Sequence, residues 1–463
     1  MVLGHIAKSP TTELITLSQF ENGADGTSQP STEKVDVEAD VEIEDIPSNK
    51  FKPLSSFCNT VKGFAGAGSF ALPWAISQAG IWIGTIGLIL VALFSNYTMH
   101  LLLRCNSKYV REIKKPGEAP PSFADLAKHA YGRPGELFVC ITTCGITISS
   151  CIAFLILIGE NLGSLAKFNQ HTIIWFILPV AFILCLIPDM KYLGYTSVFG
   201  ACALLLAMGT VLAYGGVDYK IRPLSEYHTD YSKVPLWFGV AAFFYCNHII
   251  TIPVSHASGD CTRYPKVLNY AMSFITVINV TFALLAYLFF DSYVNADGKR
   301  GVPSSITGVL PEGVFASVVR VGIVLELLCS YPIVNAAGLN TVESSVRLYK
   351  NYLSPFPQGN MPDDKGKRKF FSRNWKFYVF QAVLNTAMAA IASTISNFGS
   401  YTSLIGSLLL ATSGFVIPSF IYFKFFPEIS KKFKALLIVI IIFGIGATGL
   451  GTYYAIDSLI KDP

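Results

Sequence analysis

Runs of about 20 apolar residues follow one another from Ser56 almost to the C-terminus, separated by short polar stretches. Each is long enough to cross a hydrocarbon core roughly 30 Å thick as a helix. They fall near 56–78, 82–104, 136–166, 172–188, 193–214, 235–256, 267–290, 314–346, 375–396, 401–423 and 433–456, which predicts an all-α integral membrane protein of about eleven transmembrane helices. Ahead of them, residues 1–50 are polar, with acidic positions recurring from Glu33 through Asp36, Glu38, Asp40, Glu42 and Glu44 to Asp45. That composition cannot bury enough apolar surface to order itself. We read 1–50 as a disordered cytoplasmic tail able to recruit a cytoplasmic partner, and 51–463 as the transmembrane domain.

Two of the runs carry residues that a continuous span does not favour. The first reads Lys62-Gly-Phe-Ala-Gly-Ala-Gly-Ser-Phe-Ala-Leu-Pro73. Glycine is a poor helix former, and unwound backbone inside a membrane is tolerated where it is buried in protein or lines a wet cavity. Gly66, Ala67, Gly68 and Ser69 are therefore expected to form a break whose free N–H groups receive a carboxylate. Close helix packing through small residues four apart, Gly63 and Ala67, is the alternative. The sixth run places Tyr245, Cys246, Asn247 and His248 together at mid-span, ahead of Pro253. A proline there frees preceding carbonyls, so Tyr245 to His248 form the second expected break.

Breaks in spans one and six are what two five-span halves of opposite topology would produce. The halves would be about 55–214 and 235–423, with a helix at 433–456 appended. Lys and Arg concentrate in the tail and in loops on the same side of such a topology, which places the N-terminus in the cytosol. Composition agrees: 52% of 463 residues are hydrophobic and 14% charged, too apolar for an ordinary soluble chain. The formal charge of +5 belongs to those loops and implies no nucleic-acid partner. Ten cysteines show no CxxC or Cys/His ligand spacing and read as small buried residues; no metal site or cofactor is expected.

The order of motifs adds a resemblance. Lys62-Gly63-x-x-Gly66-x-Gly68, followed by Leu72-Pro73 and Ala79-Gly80, resembles the first span of the amino acid and auxin permease superfamily, nearest its proton-coupled amino acid transporter branch. Ile156 to Leu162, Pro253, and Ser330-Tyr331-Pro332 fall in the same order, so the similarity runs over about 55–456. It implies a LeuT-like 5+5 inverted repeat with helices 1 and 6 broken and helix 11 added. Substrate would lie between spans one, three, six and eight, and movement would be coupled to a proton or sodium gradient. Span six departs from that branch, with Tyr245 to His248 where an acidic group is usual, and the vesicular inhibitory amino acid carriers are a related branch.

Ionisable residues inside a membrane are functional candidates when they face the bundle interior. An ordinary imidazole titrates between about pH 5 and 8, and His248 sits in the second break; it either contacts substrate or relays a proton, or is a neutral core histidine. Glu326 either carries the coupled proton or a cation, or pairs with a basic group. Lys62 and Glu343, toward the cytoplasmic ends, are gating candidates. Glu160 and Arg320, near the outer ends, read as solvated. Tyr245 and Tyr331 are candidates to cover the substrate. The expectation is a secondary active transporter of small neutral amino acids, in the plasma membrane or a lysosome-like or vacuolar membrane, and not an enzyme. A membrane amino acid sensor is the alternative from another class.

Overall fold

In hydrocarbon a single span satisfies its backbone groups by becoming an α-helix. A computed structural model describes residues 51–461 apart from 115–119, 187–190, 228–229, 295–297, 299 and 346–374. Among them the regular structure is helical, and extended backbone pairs in the isolated bridge of Val294 with Arg300. The tail read over 1–50 lies outside the described residues.

The first apolar run forms α1 (Pro53–Phe64) and α2 (Leu72–Ala79), joined by a 3-10 turn at Ala67–Ala71. Next come α3 (Ile81–Glu112), α4 (Phe123–Ala166), α5 (Gln170–Cys185) and α6 (Lys191–Asp218). The sixth run is likewise divided, into α7 (Val234–Tyr245), a 3-10 turn at His248–Ile250, and α8 (Thr251–Ala257). Then follow α9 (Tyr264–Phe290), α10 (Val314–Ser345), α11 (Trp375–Ala392), α12 (Phe398–Phe425) and α13 (Lys431–Lys461). Among the described residues, eight helical segments are long and apolar enough to cross a membrane. The expected spans at α1 with α2, at α5 and at α11 fall short of that measure.

α4 begins on a capping box, with the Ser122 hydroxyl accepting from the Asp125 N–H and the Asp125 carboxylate accepting from the Ser122 N–H at 2.9 Å. Gly132 then turns the chain at φ 68°, a conformation that costs glycine least, and Pro134 restarts the helix. The residues before Gly132 are thus an arm, separate from the long apolar helix behind it.

Small residues set the closest helix contacts, as van der Waals packing in a membrane requires. α10 lies against α4 and α6, α7 against α12 and α13, and α1 and α2 against α9. Gly338 of α10 abuts the Thr147 hydroxyl of α4, and Gly406 abuts the Gly239 carbonyl of α7. That second contact coincides with two π-helical stretches in α12, Gly406–Leu410 and Thr412–Val416, the kind of local widening that marks a strained or working position. The ten cysteines are all unbridged, and Cys58 and Cys202 are exposed rather than buried.

Candidate functional site

Both interruptions open onto one cavity. At the first, α1 ends at Phe64, Ala65 and Gly66 are extended, and Ala67–Ala71 rewinds as a 3-10 turn. The break is therefore shorter than expected from the Gly66–Ser69 run. Ala67 and Gly68 begin a helical arm that continues into α2, and the first N–H groups of such an arm have no partner within it. Pro73 sits in the first turn of α2, where its missing N–H costs least.

At the second interruption Tyr245 ends α7, and Cys246 and Asn247 are non-helical. Pro253 lies in the first turn of α8, so it starts a helix rather than breaking one. The carbonyls expected to be free are engaged: the Ser95 hydroxyl donates to Tyr245 O at 2.6 Å, and the His248 N–H to Cys246 O at 2.9 Å. The two breaks are tied directly, because the Asn247 side-chain amide donates to Gly63 O at 2.6 Å.

The cavity between them has a volume of about 350 Å³. Its polar lining is Asn59 and Lys62 of α1, Thr147 and Ser150 of α4, Asn247, and Glu326 and Ser330 of α10. Gly63, Gly66, Ala67 and Gly68 supply backbone, while Phe154, Phe243, Phe244 and Ile250 supply much of the apolar wall. Residues of α1 and α8 contribute to it and α2 does not, so the cavity lies toward the end of the molecule where α1 begins. Glu326 accepts from the Ser330 hydroxyl at 2.8 Å and packs against Gly200 of α6. Its carboxylate and the Lys62 ammonium act on each other electrostatically.

Several expected site residues lie elsewhere. Ser69, Tyr245, Cys246 and His248 are fully buried behind the lining. His248 faces α3, its Nε2 2.9 Å from the Thr98 hydroxyl. Tyr331 is buried and donates to Asn385 of α11 at 2.7 Å. One residue along a helix turns about 100°, so with Ser330 on the cavity Tyr331 faces another way. Glu343 is half-buried near the end of α10 and is not among the lining residues. Arg320, read as solvated, is enclosed, 4% exposed and donating to Leu310 O at 2.6 Å, while Glu160, read the same way, is half-buried with its Oε2 sealed from solvent. Asn59, Thr147 and Ser150 were missed by sequence reasoning. The signal was present for the last two, as polar residues three apart inside an apolar span share a face.

Among the described residues no cluster of His, Cys, Asp and Glu is arranged to hold a metal ion. The family described as transmembrane amino acid transporter protein matches residues 49–457. Amino acid transporter ANT1 of Arabidopsis thaliana is 25% identical over 416 residues, covering 87% of this chain and 92% of the relative. Amino acid transporter AVT3B of the same plant is 26% identical over 450 residues, covering 90% and 98%.

Proposed function

The chain belongs to the transmembrane amino acid transporter family, and we propose that it is a secondary active carrier of small neutral amino acids working by alternating access. The observation that carries this reading is the cavity reached by both helix interruptions and bridged by the bond from Asn247 to Gly63. Interrupted helices that expose backbone at membrane depth are how carriers of this kind hold a zwitterion. The substrate carboxylate meets N–H groups where Gly66 leads into the Ala67–Ala71 turn. Because the Tyr245 and Cys246 carbonyls are already engaged, the ammonium turns to Glu326, the carboxylate in the lining.

In this reading α1 with α2, α5 and α11 join the eight longer segments as crossings, eleven in all, arranged as two inverted halves of five with α13 appended. The N-terminus is cytoplasmic, as the distribution of Lys and Arg argues. The cavity then lies on the cytosolic side, and the molecule is inward-facing. Coupling is to a proton or sodium gradient.

The test is uptake into proteoliposomes of a panel of labelled amino acids, with proton and sodium gradients imposed separately. Accumulation of small neutral amino acids above the equilibrium level supports the carrier. Saturable binding without movement of label across the bilayer would overturn it.

A further inference from the structure

We propose that Cys261 is a site of reversible oxidation by a small peroxide, with His256 as its base and Asn106 as the residue that positions the ring. Cys261 lies in the turn between α8 and α9, outside both spans, at the end of the molecule where α1 begins. The carrier reading places that end in the cytosol.

Three side chains stand in line. His256 Nε2 is 3.1 Å from Asn106 Oδ1, and His256 Nδ1 is 3.4 Å from Cys261 Sγ. Asn106 comes from α3, in the same step of 150 residues that sets Thr98 against His248. An amide oxygen only accepts, so it fixes the ring hydrogen on Nε2 and leaves Nδ1 bare toward the sulfur. The thiol donates to it. This is the order of groups, cysteine to histidine to asparagine, that activates sulfur nucleophiles on unrelated folds. A second acceptor, Ser255 O, lies 3.6 Å from the sulfur, but of the two only the ring can carry the proton away.

Among the described residues Cys261 is the cysteine whose sulfur meets a histidine nitrogen. Burial pushes its thiol above the ordinary value, while Lys114 and Asp260 act on it with opposite signs. The sulfur is therefore not ionised in advance, and the base takes its proton during attack. Cys261 is half-buried, and Ala257, Thr262 and Arg263 around it are exposed, which admits an oxidant the size of hydrogen peroxide. Asn106 Nδ2 and Ser255 Oγ, on the two residues that grip the pair, are enclosed without a hydrogen-bond partner. Each such group costs about 1–3 kcal/mol, and an oxygen added at sulfur brings an acceptor to donors that lack one.

In the reaction the sulfur attacks one peroxide oxygen as its hydrogen passes to His256 Nδ1. The S–O bond forms, the O–O bond breaks, and the ring returns the proton to the departing oxygen, which leaves as water. Sulfur gives two electrons to the peroxide and becomes a sulfenic acid. Two equivalents of a thiol reverse the change, yielding their disulfide and water. The turn also holds α1: Ser255 O accepts from the Ser258 hydroxyl at 2.6 Å, and Ser258 O accepts from the Lys52 N–H at 3.3 Å. Thr60 of α1 meets the Tyr264 hydroxyl at 3.2 Å. An oxygen on Sγ takes the sulfur from Ser255 O and the ring, loosens that hold on α1 and slows transport through the cavity that α1 lines.

The experiment treats the purified full chain with hydrogen peroxide, traps sulfenic acid with a cyclic dione and reads each cysteine by peptide mass spectrometry. Cys58 and Cys202, exposed as well, are the internal standards. Cys261 is expected to label at least tenfold faster than either, and His256→Gln to slow it by about a hundredfold, the lower end of what a positioned base contributes. Asn106→Leu is expected to slow labelling by about tenfold and Asn106→Asp, which keeps the acceptor, to stay within about twofold of wild type. Equal labelling of the three cysteines overturns the site, and an undiminished rate at Cys261 in His256→Gln overturns its activation. Should a variant misfold, the comparison among wild-type cysteines decides alone. In proteoliposomes peroxide is expected to cut uptake by about fivefold in wild type and to leave Cys261→Ser unchanged, with dithiothreitol restoring the rate. Labelled Cys261 with undiminished uptake overturns the control of transport. Absence of any uptake removes the carrier reading instead, and the labelling result stands without it.

Discussion

The two helix interruptions do different work with different chemistry. The first is made of small residues, and its backbone at Gly63 to Gly68 faces the cavity. The second is made of larger polar residues, and its carbonyls are bound from behind by Ser95 and by the chain itself, with only Asn247 of Tyr245–His248 reaching the lining. One exposes main chain to the cavity; the other is a sealed joint that presents a side chain. A break thus leaves backbone groups open to a cavity only where no neighbouring side chain has satisfied them.

The sharpest way to break this comparison is at Gly68. A Cβ there would sit 3.1 Å from Phe243 and 3.3 Å from Phe244, so Gly68→Val drives a branched side chain into the aromatic wall of the cavity. Overpacking of this kind costs about 1–3 kcal/mol, and initial uptake rates are expected to fall by about tenfold to a hundredfold while the protein still inserts. Wild-type uptake in that variant would remove the first break from the site. Next in size is Ser95→Ala, which leaves the Tyr245 carbonyl buried and unpaired at a cost of about 1–3 kcal/mol. It is expected to lower the apparent melting temperature in detergent with little change in substrate Kd; the reverse pattern would mean that the second break binds substrate through its carbonyls after all. The smallest effect is expected from Gly66→Ala. Nothing lies within 4 Å of a Cβ at that position, and its φ of −169° is ordinary extended backbone, so uptake should stay within about twofold of wild type. A loss as large as that of Gly68→Val would show that the arm must flex at Gly66.

Much of the architecture is legible from hydropathy alone, because crossing hydrocarbon leaves a chain few options. The interruption near Gly66 is legible for the same reason in reverse, since three glycines and a proline are unlikely partners in a continuous span. The site was legible only in part. Gly66, Ala67, Gly68, Asn247, Lys62 and Glu326 do come to one cavity. Tyr331 faces α11 and His248 faces α3, because their partners Asn385 and Thr98 are 54 and 150 residues away in the chain. Glu160 and Arg320 looked exposed from their position near span ends. The enclosure of Arg320 comes with the segment at Ser305 to Leu310, whose Leu310 carbonyl holds its guanidinium.

Local composition by itself determined that the protein is a membrane bundle and where two of its spans cannot remain continuous, because both follow from what a single segment can do with its own backbone in a medium without water. Tertiary structure alone decided which freed groups stay open, since each carbonyl or hydroxyl is claimed or left by whichever distant helix packs against it. That choice depends on register between segments far apart in the chain, as in the step of 150 residues between α3 and the second break.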